Sequence, residues 1–261
     1  MTQAIQNSLN LDIRPEASLD DFRSESFRPI LDAIDKLVHG SLRELFLVGA
    51  LGFGKTHLAN AIYDHFTSMT GKSAISLNLS ELIEEDPHAT ALVGLEMFDL
   101  IIVDDLQLVR LSYEWQEGLF HLINRIREHQ KQILYFADDT ARELQIGLLD
   151  LHTRLSLAPM LTLPDHDDVE DRRILLDTIL KKKNWKLPAE IFDYLLHEGP
   201  RNAGDINTVL DQIRPLLTRL SRVQIPKKTI TEAKNLILHQ TFLLEIGESD
   251  LMPSAAAELR H

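Results

Sequence analysis

The chain has 261 residues, a hydrophobic fraction of 44% and no cysteine, so it can build a folded core but offers no disulfide or thiolate metal site. Its formal net charge of −13, from 40 acidic and 27 basic residues, excludes the basic footprint of a protein that holds DNA by its own charge. No apolar run is long enough to span a bilayer, and the first residues lack the basic start and apolar block of a secretory signal, so a cytoplasmic location is expected.

Residues 1–17 read as a flexible leader. From Phe27 to Val38 the spacing of Ile30, Ile34 and Leu37 predicts a helix, with Gly40 beyond its end. ELFLVG reads as a buried strand. KTHLANAIYDHFTSM reads as a helix with Leu58, Ala61, Ile62, Phe66 and Met69 inward, stopped by Gly71. SAISLNL is a strand, and LIIVDD is an apolar run ending in two acids, the pattern of a parallel strand covered on both faces. Trp115 to His129 follows as a helix with Leu119, Leu122, Ile123 and Ile126 inward. ILYFAD and MLTL complete the strands. Strands alternating with helices predict an α/β fold with a parallel sheet. After Pro164 the pattern becomes helical: Arg172 to Lys183, Pro188 to His197, Ala203 to Leu220 and Thr229 to His239, with Pro215 expected to kink or end the third helix. The residues after the last helix read as a loose tail.

Gly49-Ala-Leu-Gly-Phe-Gly-Lys-Thr56 fits GxxxxGK followed by Ser or Thr, between a predicted strand and a predicted helix. Gly49, Gly52 and Gly54 let backbone N–H groups converge on phosphate oxygens, and the helix N-terminus favours their charge. Lys55 is placed to reach the β- and γ-phosphates, and Thr56 to hold Mg2+. Asp104 and Asp105 end a later strand, where one acid coordinates Mg2+ through water and the next can orient an attacking water. Asp138 ends the following strand. It fits two readings equally: a polar group beside the γ-phosphate, or the N-cap of a helix at TAREL. The acids of PDHDDVED read as helix caps, KKKNWK as a solvated helix end, and the 11 histidines show no zinc-binding HExxH spacing.

GALGFGKTHLANAI, FDLIIVDDLQLV and ILYFADDTARELQIGLLDLHTRL, in that order, resemble the ATPase domain of the bacterial replication initiator DnaA. The resemblance runs from SLDDF through the helical part of the chain. It implies an AAA+ fold: a P-loop parallel sheet with flanking helices, followed by a small all-α lid. The expected division is a leader at 1–17, a nucleotide-binding core at 18–163, a helical lid at 164–241 and a tail at 242–261. An initiator also carries a helix-turn-helix domain, for which the non-basic residues 242–261 are expected to be too few. The chain therefore resembles more closely the Hda family, the regulatory inactivators of DnaA. That family carries a short Gln-x-x-Leu-x-Leu peptide that binds the replication sliding clamp. QNSLNL matches it at Gln6, Leu9 and Leu11.

The resemblance places Arg154 of LHTRL at the position of an arginine finger that acts in trans on a neighbour's γ-phosphate. It also puts Gly204 where these families carry a nucleotide-contacting lid arginine, with Arg201 three residues earlier. What the resemblance implies is a regulator that binds ADP or ATP with Mg2+, hydrolyses it weakly, docks on the DNA polymerase III clamp and presents Arg154 to ATP held by DnaA. DNA would be reached only through the clamp, no membrane partner is implied, and a homodimer stays open. The competing readings are a helicase loader of the DnaC or IstB kind, driven by its own ATP turnover, and a nucleotide-locked adaptor that never hydrolyses.

Overall fold

The computed structural model describes residues 17–165, 168–218 and 226–251. Gln6, Leu9 and Leu11 lie outside them. Five strands form one sheet: β1 (Glu44–Val48), β2 (Ala74–Asn78), β3 (Leu100–Asp104), β4 (Gln132–Ala137) and β5 (Met160–Thr162), in the order β2-β3-β4-β1-β5. Every neighbouring pair is parallel. Before and between them lie α1 (Arg28–Val38), α2 (Lys55–Thr70), α3 (Leu79–Glu85), α4 (Tyr113–Glu128) and α5 (Leu149–Ser156).

All residues of β3 and β4 are buried, which is why these strands are apolar without alternation. Their side chains still alternate between faces. Ile101, Val103 and Tyr135 join Trp115, Leu122 and Ile126 of α4 on one face, along with Leu151 and Leu155 of α5. Leu100, Ile102 and Leu134 join Ile34 of α1 and Leu58, Ile62 and Phe66 of α2 on the other. The sheet is thus a layer between two helical layers, and helix α2 lies on the opposite face from α5. Replacing Leu134 with alanine, at a side chain of 0% exposure, is expected to cost about 2–5 kcal/mol through lost transfer energy and a residual cavity. Chemical denaturation checks this. A loss below about 1 kcal/mol would mean that α2 collapses onto β4 and refills the space.

Local stop signals act as the sequence suggests. Gly71 closes α2 at φ 65, with its N–H on the Thr67 carbonyl. The Asp168 carboxylate caps the helix Val169–Lys182 by accepting from the N–H groups of Glu170 and Asp171. Met69 differs from expectation, being 64% exposed. A 16-residue helix is about 24 Å long while a five-residue strand spans about 17 Å, so the last turn of α2 overhangs the sheet it covers.

The rest of the described chain is helical: α6 (Val169–Lys182), α7 (Ala189–Glu198), α8 (Ala203–Thr218) and α9 (Lys227–Leu251). These four bury a cluster of their own, including Leu176, Ile191, Leu195, Val209, Leu210, Ala233 and Ile237. Helix α8 runs three residues past Pro215. Buried Ile213 and Leu217 hold that final turn and outweigh the single N–H that proline removes. Helix α9 extends well past His239 into the segment expected to be loose. Its buried positions Ala233, Ile237 and Thr241 recur every four residues, so the inward stripe does not end where the clear apolar pattern does. No helix among the described residues is long and apolar enough to cross a membrane.

Candidate functional site

The site forms beyond the carboxyl ends of β1, β3 and β4, the place where open parallel sheets hold ligands. The chain leaves β1 at Val48, turns through residues 49–54 and enters α2 at Lys55. Gly52 and Gly54 both have φ +83, a region that costs other residues strain. A Cβ on Gly52 would also lie 2.6 Å from Asn202 Oδ1, so the Asn202 side chain would have to shift to admit one. The first turn of α2 has no side-chain cap. Its leading N–H groups are the arrangement that accepts an anion.

Lys55 is 6% exposed. Its Nζ donates to the Gly49 carbonyl at 2.6 Å, the Ala50 carbonyl at 3.1 Å and Asp138 Oδ1 at 2.6 Å. Asp138 does not cap a helix: Thr140 to Leu144 is a turn, and the carboxylate faces Lys55. The Thr56 hydroxyl donates to Asp104 Oδ2 at 2.6 Å. Asp104 is 2% exposed. Burial holds its carboxyl above the usual carboxylate range; the Thr56 hydrogen bond opposes this and neighbouring Asp105 adds to it. Asp105 sits at φ 57, in the left-handed region, with Oδ1 accepting from Gln107 Nε2 at 3.1 Å. Strained backbone of this kind is held only where the surroundings impose it. A hydroxyl and a carboxylate side by side are the hard oxygen donors that suit Mg2+, and an ammonium with free helix N–H groups suits phosphate. The residues present therefore fit a Mg2+–nucleotide.

A cavity of about 630 Å³ opens from this loop, within the range of small-molecule sites. Phe22 and Phe27 from the segment before α1 and Ile174 and Leu175 of α6 supply apolar walls. Gly204 reaches the loop: a Cβ built on it would stand 3.7 Å from Gly52 Cα. The position that the resemblance assigns to a lid arginine thus faces the phosphate loop and carries no charge. Arg201 is exposed.

Sequence reading missed one cluster on the cavity wall. Lys182 Nζ lies 2.5 Å from Asp21 Oδ2, and His57 Nε2 lies 2.8 Å from the same oxygen. Burial pushes the Asp21 carboxyl up, but the hydrogen bonds from Lys182 and His57 more than offset it and leave it below its usual value. KKKNWK is therefore not simply a solvated helix end. Lys182 ties α6 to the segment before α1 and to α2, and Lys183 pairs with Asp211 of α8 at 2.9 Å.

Arg154 lies apart from all of this, on α5. It does not line the cavity. Its side chain is partly exposed, and among the described residues its guanidinium makes no hydrogen bond or ion pair. No group of acids or histidines suited to a further metal ion occurs among the described residues.

Residues 29–158 match the family of the bacterial DnaA ATPase domain. The chain is 27% identical over 241 residues to the chromosomal replication initiator protein DnaA of Treponema denticola, covering 87% of this chain and 50% of that protein. It is 28% identical over 200 residues to an uncharacterized protein of Haemophilus influenzae, covering 76% of this chain and 84% of that one. It spans half or less of the length of such DnaA relatives; for the Gluconobacter oxydans DnaA, 29% identical, the share is 36%. Among solved structures, domain III of Thermotoga maritima DnaA superposes with a TM-score of 0.72 at 18% identity, covering 84% of this chain and 96% of that one. Aquifex aeolicus DnaA bound to AMPPCP superposes with a TM-score of 0.62 at 21% identity, covering 85% and 81%. With the phosphate loop, the acid-tipped strands and the helices that follow, the chain carries a DnaA-like AAA+ ATPase domain.

Proposed function

We propose that this protein is an Hda-like negative regulator of replication initiation, which docks on the sliding clamp and stimulates hydrolysis of ATP bound to DnaA. In this reading residues 18–163 are a nucleotide-binding core and 164–241 a lid closing on ADP or ATP. Lys55 leaves Asp138 to meet the β- and γ-phosphates, and Gly52 and Gly54 present their N–H groups to phosphate oxygens. Thr56 and Asp104 would hold Mg2+, which supplies charge neutralisation to the phosphates. Asp105 and Asp138 are the groups placed to orient water. With Gly204 in place of a cation, the lid has little with which to sense a γ-phosphate, so the chain's own hydrolysis is weak and the hydrolysis that matters occurs on the partner.

The observation that carries this reading is the position of Arg154. A partly exposed guanidinium that is unpaired among the described residues, on the sheet face opposite α2, serves its own nucleotide poorly and a neighbour's well. The net charge of −13 argues that DNA proximity comes from a partner, and the clamp would supply it through Gln6, Leu9 and Leu11. The test is clamp binding by the Leu9→Ala, Leu11→Ala double variant. Two apolar anchors lost from an interface should weaken binding by about 2–4 kcal/mol, with no change in the melting temperature. Unchanged clamp affinity, or selective capture of the replicative helicase by the wild type, would sink the clamp-directed reading.

A further inference from the structure

Helix α5 is only eight residues long and has no side-chain cap at its start. A helix that short has little stability of its own, so its orientation must come from what packs on it. Leu151 and Leu155 anchor its buried face. Its carbonyl end is held by Arg127 of α4. Arg127 Nη2 donates to the carbonyl of Arg154 itself at 3.3 Å. The same guanidinium is fixed by a two-pronged pair with Glu44 at the start of β1, Nε to Oε1 at 2.5 Å and Nη2 to Oε2 at 2.8 Å. Glu44 is 15% and Arg127 25% exposed, so the pair is largely shielded. A planar fork held on one carboxylate has few orientations left. A cation is also a favoured partner for the last carbonyls of a helix, and among the described residues that of Arg154 otherwise accepts only the long 3.3 Å bond from the Leu157 N–H.

We propose that Arg127 is the positioning residue for Arg154: clamped by Glu44, it holds the last turn of α5 and so sets the direction in which the Arg154 side chain leaves the protein. The proposal rests on the reading of Arg154 as a finger in trans. It adds the element that aims the finger, and it links the finger to strand β1, between β4 and β5, whose other end opens into the phosphate loop. Nucleotide held at one end of β1 and the finger at the other then share one rigid strand. A finger acts only if its guanidinium meets the γ-phosphate in the transition state, so a displacement of about 1 Å can cost up to 100-fold in rate without altering docking.

The experiment measures turnover of DnaA-bound ATP against concentration of this protein, in the presence of DNA-loaded clamp, for wild type, Arg127→Ala, Arg127→Lys and Arg154→Ala. Ile237→Ala in α9 serves as a variant destabilised elsewhere. Arg127→Ala is expected to lower the plateau rate about tenfold or more while the half-saturating concentration stays put. Arg127→Lys should recover the melting temperature, because lysine still pairs with Glu44, but not the plateau, because it cannot hold Glu44 and the Arg154 carbonyl together. Amide exchange at Leu157 and Ala158, which follow the held turn, should quicken in Arg127→Ala. A full plateau for Arg127→Ala beside an inactive Arg154→Ala would overturn the positioning role and leave the finger standing. So would a loss no greater than that of Ile237→Ala at matched melting temperature. Full stimulation by Arg154→Ala would overturn both readings together.

Discussion

Arg154→Ala is expected to abolish stimulation of DnaA-bound ATP hydrolysis while leaving the fold, nucleotide binding and clamp binding in place. The expectation follows from where the side chain stands. It packs into neither sheet-face cluster, lines no part of the cavity and makes no ion pair among the described residues, so its removal leaves no buried charge or carboxylate without a partner. A structural arginine would behave otherwise: its loss would lower stability and impair all three activities together. A finger contributes only when negative charge shifts on the transferring phosphoryl group, an effect of about 10³–10⁵ in rate. Lysine at position 154 should rescue poorly, since it lacks the planar fork that spans two phosphate oxygens. The measurement is single-turnover decay of DnaA-bound ATP with DNA-loaded clamp, at matched folded fraction. Undiminished decay with the alanine variant would remove Arg154 from the mechanism and leave another residue, or nucleotide exchange, to explain any inactivation.

What the sequence made legible is what lies close together along it. Strands β3 and β4 announce themselves because burial on both faces demands unbroken apolar runs, and LIIVD and ILYFA provide them. The phosphate loop is legible because strand, glycines, Lys55 and helix follow one another without interruption. Asp138 shows the limit. Two readings stood level, and what separates them is its contact with Lys55 across 83 positions of sequence. The same holds for Asp21, His57 and Lys182, which meet from three elements, with 161 positions between Asp21 and Lys182. The pair of Arg127 with Glu44 spans 83 positions and leaves no periodic trace, because each residue alone reads as a surface charge at the end of its element. Packing also overrode one local expectation: the inward stripe of α9 carries it past its expected end. Of the two outcomes expected at Pro215, α8 does not end there, and the core contacts of Ile213 and Leu217 carry it to Thr218.

The other large effect concerns Lys55, and here the folded protein without ligand shapes what must be measured. Lys55 is buried, holds two loop carbonyls and pairs with Asp138, so Lys55→Ala changes the empty protein as well as the bound one. Loss of the pair leaves the Asp138 carboxylate without its cation, and loss of the ammonium removes a desolvated charge; the two act in opposite directions on stability. An absolute melting temperature therefore says little, and the informative quantity is the rise in stability that nucleotide produces. Each charge-assisted hydrogen bond contributes about 1.5–3 kcal/mol, and Lys55 is placed to make them to the β- and γ-phosphates, so the Kd for ATP should rise on the order of 100-fold or more, and that for ADP, which offers only the β-phosphate, on the order of 10-fold or more. At a nucleotide concentration of about 100 times the wild-type Kd, binding stabilises the wild type by about 2.7 kcal/mol; a 100-fold weaker variant keeps only about 0.4 kcal/mol of it. Lys55→Met, which retains most of the volume, should lose the same increment and so separate lost charge from lost packing. Equal nucleotide-dependent shifts in wild type and both variants would mean that the loop closes on itself through Lys55 and Asp138 and holds no phosphate, and the protein would then have to act on its partner without a nucleotide of its own.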